Sequence, residues 1–95
     1  MPAVTRLGDN CTGHDACPPV PLVTASSNVF INGRGAGRQT DQYQSHGCIA
    51  HSSHQDQITG GSATVRVNGL PIARVGDSVR IGGSVQQGSP NVNAG

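Results

Sequence analysis

Short apolar–polar alternations, each broken by a turn signal, run along the chain. Val65-Arg66-Val67 has period two and is followed at once by Asn68-Gly69. Alternation of this kind predicts a strand with one face inward, and Asn-Gly predicts a tight hairpin, because both turn positions tolerate positive φ. Val29-Phe30-Ile31 before Asn32-Gly33 has the same form. In the fuller copy the return strand carries Ile72 and Val75, and Gly76-Asp77 closes the unit. A further strand-like passage, Val79-Arg80-Ile81, is turned by Gly82-Gly83.

These hairpins belong to an internal repeat. With Ser26 laid on Ser62, Val29, Asn32, Gly33, Arg38 and Asp41 fall on Val65, Asn68, Gly69, Arg74 and Asp77 in register. The C-terminal Gly88–Gly95 stretch reads as the first half of the same unit, and the N-terminal Pro2–Asp9 stretch as its second half. A copy split in this way is completed by a closed ring of three units with adjacent termini, and such a ring has a pseudo-threefold axis within one chain.

Composition narrows the class. The 95 residues hold 14 Gly and 6 Pro, but no Lys, no Glu and 1 Met. That argues against a helical bundle. Ten Val, five Ile, three Leu and one Phe form a thin core for a single domain spanning 1–95, which calls for a staple such as a metal or a disulfide. A net charge of +1 and 2% aromatic residues argue against nucleic acid as a partner. No apolar run approaches the roughly 18 residues of a transmembrane span, and no signal peptide is evident.

Arg-x-x-Asp recurs three times, as Arg6/Asp9, Arg38/Asp41 and Arg74/Asp77. Threefold recurrence favours architecture, a bidentate pair tying each corner, over a single active site. All four His and all three Cys fall in two linking segments, Asn10–Ala25 and Gln42–Gly61. The first contains Cys11, His14 and Cys17; the second contains His46, Cys48, His51 and His54. Imidazole and thiolate gathered in loops suit zinc. A four-ligand site would be closed, hence structural, and would join the two segments. A catalytic pair of Cys48 with His46 or His51 needs a pocket that this core has little room for. Cys11 and Cys17 are open to a disulfide, a second metal site or neither.

The pattern Ser-x-x-Val-x-Val-Asn-Gly-x-Pro-x-Ala-Arg-x-Gly-Asp, with one copy broken across the termini, resembles the PAAR-repeat proteins. Leu70-Pro71-Ile72-Ala73-Arg74 stands where that family has its Pro-Ala-Ala-Arg tetrad. The copy Arg34–Asp41 departs from it, lacking the Pro and the Gly before Asp, so its corner is expected to differ in shape. The resemblance implies an all-β fold, a small cone of three hairpin repeats stapled by one Zn2+ near its apex. It also implies zinc held by three His and one Cys, here His14, His46, Cys48 and His54, with His51 as the competitor.

The role implied is non-enzymatic. Such a protein caps and sharpens the trimeric β-helical spike of a contractile injection machine, VgrG in type VI secretion or its counterpart in a phage tail. The base of the cone would dock on the spike, and the apex would meet the target membrane only transiently. An adaptor or carrier for a secreted effector is the alternative; no toxin extension is expected beyond Gly95. A free-standing zinc module is the third reading. The implied location is the cytoplasm before assembly, then the spike tip outside the producing cell.

Overall fold

The structure is a computed structural model describing residues 1–14, 17–48 and 51–95, without the side chain of His51. Its described residues form no helix. Among the described residues six short strands make three antiparallel hairpins: β1 (Phe30–Ile31) with β2 (Arg34–Gly35), β3 (His46–Cys48) with β4 (His51–His54), and β5 (Arg66–Val67) with β6 (Leu70–Pro71). The first and third are the repeat hairpins. Their turns match: Asn32 and Asn68 both have φ 55°, and Gly33 and Gly69 both have φ 79°. That is the positive-φ pair an Asn-Gly hairpin requires.

The repeats close into a ring. Thr5 N–H donates to the Ala73 carbonyl at 3.1 Å, Ala73 N–H to Gly37 at 2.9 Å, and Gly37 N–H back to Thr5 at 2.9 Å. Thr5 and Ala73 are fully buried. A Cβ on Gly37 would lie 2.6 Å from Thr5 Cγ2, so the first copy needs glycine at this point of closest approach. The split third copy is completed by an Ala3–Asn93 bridge and by Val4 N–H donating to Val92.

Each unit is tied by the same two devices. Ser26, Ser62 and Ser89 are buried, and each Oγ accepts the backbone N–H three residues on, at 3.0, 2.9 and 2.9 Å. Each Arg-x-x-Asp pair forms a corner in which the Asp accepts both from the Arg backbone N–H and from its guanidinium. The Asp N–H in turn donates to the Arg carbonyl. The hydrogen bond and a positive φ at the third residue are the marks of a type II turn.

The first-copy corner keeps the shape of the others, contrary to the expectation from its missing glycine. Thr40 takes φ 79°, beside 89° at Gly8 and 94° at Gly76. The Asp41 carboxylate and the Thr40 N–H bond to Ile58 hold the turn against the preference of a β-branched residue.

Neighbouring repeats interlock through the hairpin tips. Asn32 Oδ1 accepts from Arg6 and Ser89, and Asn68 Oδ1 accepts from Arg38 and Ser26. At the third junction Ser62 Oγ bonds the Gly95 carbonyl.

Two apolar clusters stack along the molecule, whose extents are 37 × 23 × 23 Å. One joins Val4, Ala36, Val67, Ile72 and Ala94 beneath the repeat hairpins. The other joins Cys11, Val20, Leu22, Tyr43, Ile58, Ala73, Val79 and Val85, contributed largely by the linking segments. The passage Val79-Arg80-Ile81 is an irregular turn rather than a strand, joined by Ser78–Ser84 and Ile58–Val79 bridges. Its Gly82 and Gly83 pack against residues 12–14, where added side chains would collide with His14 and Gly13.

Candidate metal centre

The histidines converge where the two linking segments meet. His14 and Cys17 exchange backbone hydrogen bonds of 3.2 and 2.8 Å. His46 and His54 are cross-strand partners in the β3–β4 hairpin. The register shifts between His46 and Cys48, leaving both imidazoles on the side facing His14.

The three Nε2 atoms form a triangle. His14–His46 is 3.2 Å, His14–His54 is 2.9 Å and His46–His54 is 2.9 Å. Second partners set the tautomers. His46 Nδ1 lies 2.9 Å from the Pro18 carbonyl, and His54 Nδ1 lies 2.9 Å from the Ser52 carbonyl. A carbonyl only accepts, so Nδ1 carries the proton and each neutral ring turns a bare Nε2 lone pair inward. Two such lone pairs 2.9 Å apart repel unless a cation lies between them. Orientation of the distal nitrogen by a backbone carbonyl is also the usual support of a metal-bound histidine. The residues therefore fit a borderline metal ion, and imidazole donors suit zinc.

The cysteines are arranged differently from the sequence expectation. Cys48 is bonded to Cys17, with Cα atoms 5.1 Å apart, so it does not present a thiolate as the fourth donor. Cys17 Sγ lies in the same group as His14, His46 and His54, their ligand atoms all within 4.8 Å of one another. Cys11 is an unpaired thiol buried in the core, paired with neither Cys17 nor a metal group among the described residues. The side chain of His51, the competitor ligand, lies outside the described residues.

Sequence reasoning missed Asp56. It is 3% exposed. Its Oδ2 lies 3.4 Å from His14 Nε2, 3.6 Å from His46 Nε2 and 3.4 Å from His54 Nε2. Its backbone carbonyl accepts from Tyr43 N–H at 2.9 Å, which fixes the chain just past β4. The available signal was arithmetic: of five Asp, three close the corners, and Asp56 sits two residues after His54.

The fold and this cluster define a small all-β scaffold with threefold internal repetition and one metal-competent end. The PAAR motif family model matches residues 50–95. The chain thus carries a PAAR motif, in agreement with the resemblance drawn from its sequence. It is also 39% identical over 61 residues to the double-stranded DNA deaminase toxin A of Burkholderia cenocepacia (strain H111), a match covering 63% of this chain and 4% of the toxin. The chain thus corresponds to a small part of that relative's length. No helix among the described residues is long and apolar enough to cross a membrane.

Proposed function

We propose that this protein is a non-enzymatic tip for a spike of the contractile injection type, stapled by one zinc ion at the histidine cluster. The observation that carries the reading is the closed Thr5–Ala73–Gly37 ring. A single chain with three equivalent backbones about one axis is matched to a partner made of three identical subunits. The hairpin end presents what such a partner needs. Two-residue strands end there with open edges, and Phe30 is 60% exposed. Main-chain pairing to open edges and burial of such apolar groups are the usual means of β-augmentation. The opposite end is tied by imidazoles and a disulfide, as suits a part that must not deform.

The test is stoichiometry. Mixed with a trimeric β-helical spike protein, VgrG-like or from a phage tail, the chain should form a complex of one copy per trimer by native mass spectrometry. Phe30→Asp should weaken it by at least tenfold. A ratio of three per trimer, or unchanged affinity in the variant, would refute the docking mode.

A second reading, as a carrier for an effector, is favoured by the match to a region of a toxin whose length lies mostly elsewhere. The two readings are compatible, since a tip that rides a spike can bring a partner with it.

A further inference from the structure

We infer that Asp56, not a cysteine, is the fourth protein ligand of the metal. This inference rests on the reading that His14, His46 and His54 hold a metal ion.

The first observation is geometric. Tetrahedral zinc with bonds of about 2.0–2.1 Å to nitrogen and oxygen places its ligand atoms about 3.3–3.4 Å apart along every edge. Three Nε2 atoms and Asp56 Oδ2 define six edges. Those among the histidines are 2.9, 2.9 and 3.2 Å, and those to Asp56 are 3.4, 3.4 and 3.6 Å. The three edges to Asp56 lie at or slightly above the tetrahedral value and the three among the histidines below it, and Oδ2 is nearly equidistant from the three nitrogens. A carboxylate bonded to one histidine would instead sit close to that ring and far from the others.

The second observation is electrostatic. Asp56 is buried, and its Oδ1 has no hydrogen-bond partner among the described residues. A buried carboxylate is costly unless a cation or donors compensate it. The Nδ1–H groups of His46 and His54 are directed at the Pro18 and Ser52 carbonyls rather than at the carboxylate, whereas a shared divalent ion compensates it directly.

The third observation concerns the sulfurs. Bonded to each other, Cys17 and Cys48 carry no thiolate charge. A three-histidine, one-carboxylate set keeps its metal whether the disulfide is closed or opened by a dithiol reductant, which would deliver two electrons and two protons to give two thiols. A set using Cys48 or Cys17 would lose a ligand on oxidation.

Cobalt(II) substitution separates these cases, because a cobalt–thiolate bond has an intense near-ultraviolet charge-transfer band that carboxylate lacks. The full chain, fully reduced and loaded with one cobalt, should show visible tetrahedral bands without the thiolate band. Zinc affinity should change less than threefold between reduced and oxidised protein, and less than threefold in the Cys17→Ser/Cys48→Ser variant. Asp56→Cys in that variant should create the thiolate band, and Asp56→Ala should lower zinc affinity by well over about a hundredfold, beyond the range of an outer-shell partner. A thiolate band in the reduced wild-type chain that disappears in Cys48→Ser or Cys17→Ser would overturn the inference. So would Asp56→Cys binding cobalt without the band. Wild-type protein that binds neither zinc nor cobalt would instead overturn the reading beneath it.

Discussion

The two ends of the molecule are stabilised on opposite plans. At the hairpin end three devices each occur three times: a serine hydroxyl bonded to the backbone three residues on, an Arg–Asp corner, and a backbone bond around the axis. At the histidine end each device occurs once and comes from segments with no counterpart in the third unit. Repetition spreads stability over equivalent local bonds. A single-copy centre concentrates it on one cross-link between distant parts of the chain. Losses at the first end should therefore be graded and local, and losses at the second abrupt.

The sharpest test removes the single-copy device. Chelation of metal-loaded protein, or His46→Ala, should cost several kcal/mol, as structural zinc sites do in small domains. At about 4–8 °C per kcal/mol for a domain of this size, the melting temperature should fall by about 15 °C or more. Calorimetry before and after chelation checks this. A fall under about 4 °C would mean that the histidine end holds itself together without a bound ion.

Next come the corners, which are equivalent in bonding but not in burial. The side chains of Arg6 and Asp9 are 11% and 5% exposed, those of Arg38 and Asp41 18% and 5%, and those of Arg74 and Asp77 19% and 11%. Asp9 also accepts from a second guanidinium, Arg34 Nη2 at 3.0 Å, where Asp41 accepts from the neutral Thr24 hydroxyl at 2.9 Å. Removing one partner of a buried ion pair costs about 3–5 kcal/mol, because the other charge is left unmatched. Asp9→Ala should lie in that range, Asp41→Ala below it, and Asp77→Ala lowest, at about 2 kcal/mol. Denaturant melts give the order. Equal costs would mean that the backbone hydrogen bonds made by each Asp, rather than burial of the charge pair, dominate.

The same division decided what could be read from the sequence. The hairpins, the split third copy and the Arg–Asp corners were legible because repetition multiplies a weak local signal. Asn68-Gly69 is suggestive alone and persuasive beside Asn32-Gly33. The histidine end had no second copy to confirm it. That His14, His46 and His54 belong together followed from residue type and resemblance, but their partners did not. Asp56 looks like an ordinary polar loop residue, and only the position of its carboxylate among three Nε2 atoms distinguishes it. The Cys17–Cys48 bond joins residues 31 apart in the chain, a tertiary fact with no spacing rule. Thr40 was misjudged for a related reason: local preference favoured a different corner, and the Asp41 carboxylate with its neighbours overrode it.

That override leaves strain which can be released. A β-branched residue at φ 79° is disfavoured by about 1 kcal/mol or more relative to glycine. Thr40→Gly should raise stability by about 1 kcal/mol and bring the first corner into line with Gly8 and Gly76. The added unfolded-state entropy of glycine opposes this gain and sets its upper limit. A thermal melt that falls on substitution would show that the Thr40 side chain contributes contacts worth more than the strain.

The smallest effect is at Tyr43, whose ring is fully buried in the cluster contributed largely by the linking segments while its hydroxyl has no hydrogen-bond partner among the described residues. Burial pushes the phenol's pKa well above its ordinary value, with further upward contributions from Cys11, Asp9 and Asp77. An acid whose folded pKa is raised leaves stability intact below the unfolded pKa, about 10 for tyrosine, and removes it as pH climbs from there toward the folded value. Wild-type protein should therefore lose stability above about pH 10 in a limb that Tyr43→Phe lacks. Near neutrality the same substitution removes an unpartnered buried hydroxyl and should be neutral or stabilising by up to about 1 kcal/mol. Urea melts at neutral and alkaline pH measure both arms. A loss exceeding about 1 kcal/mol near neutrality would mean that the hydroxyl makes a favourable contact in the folded protein.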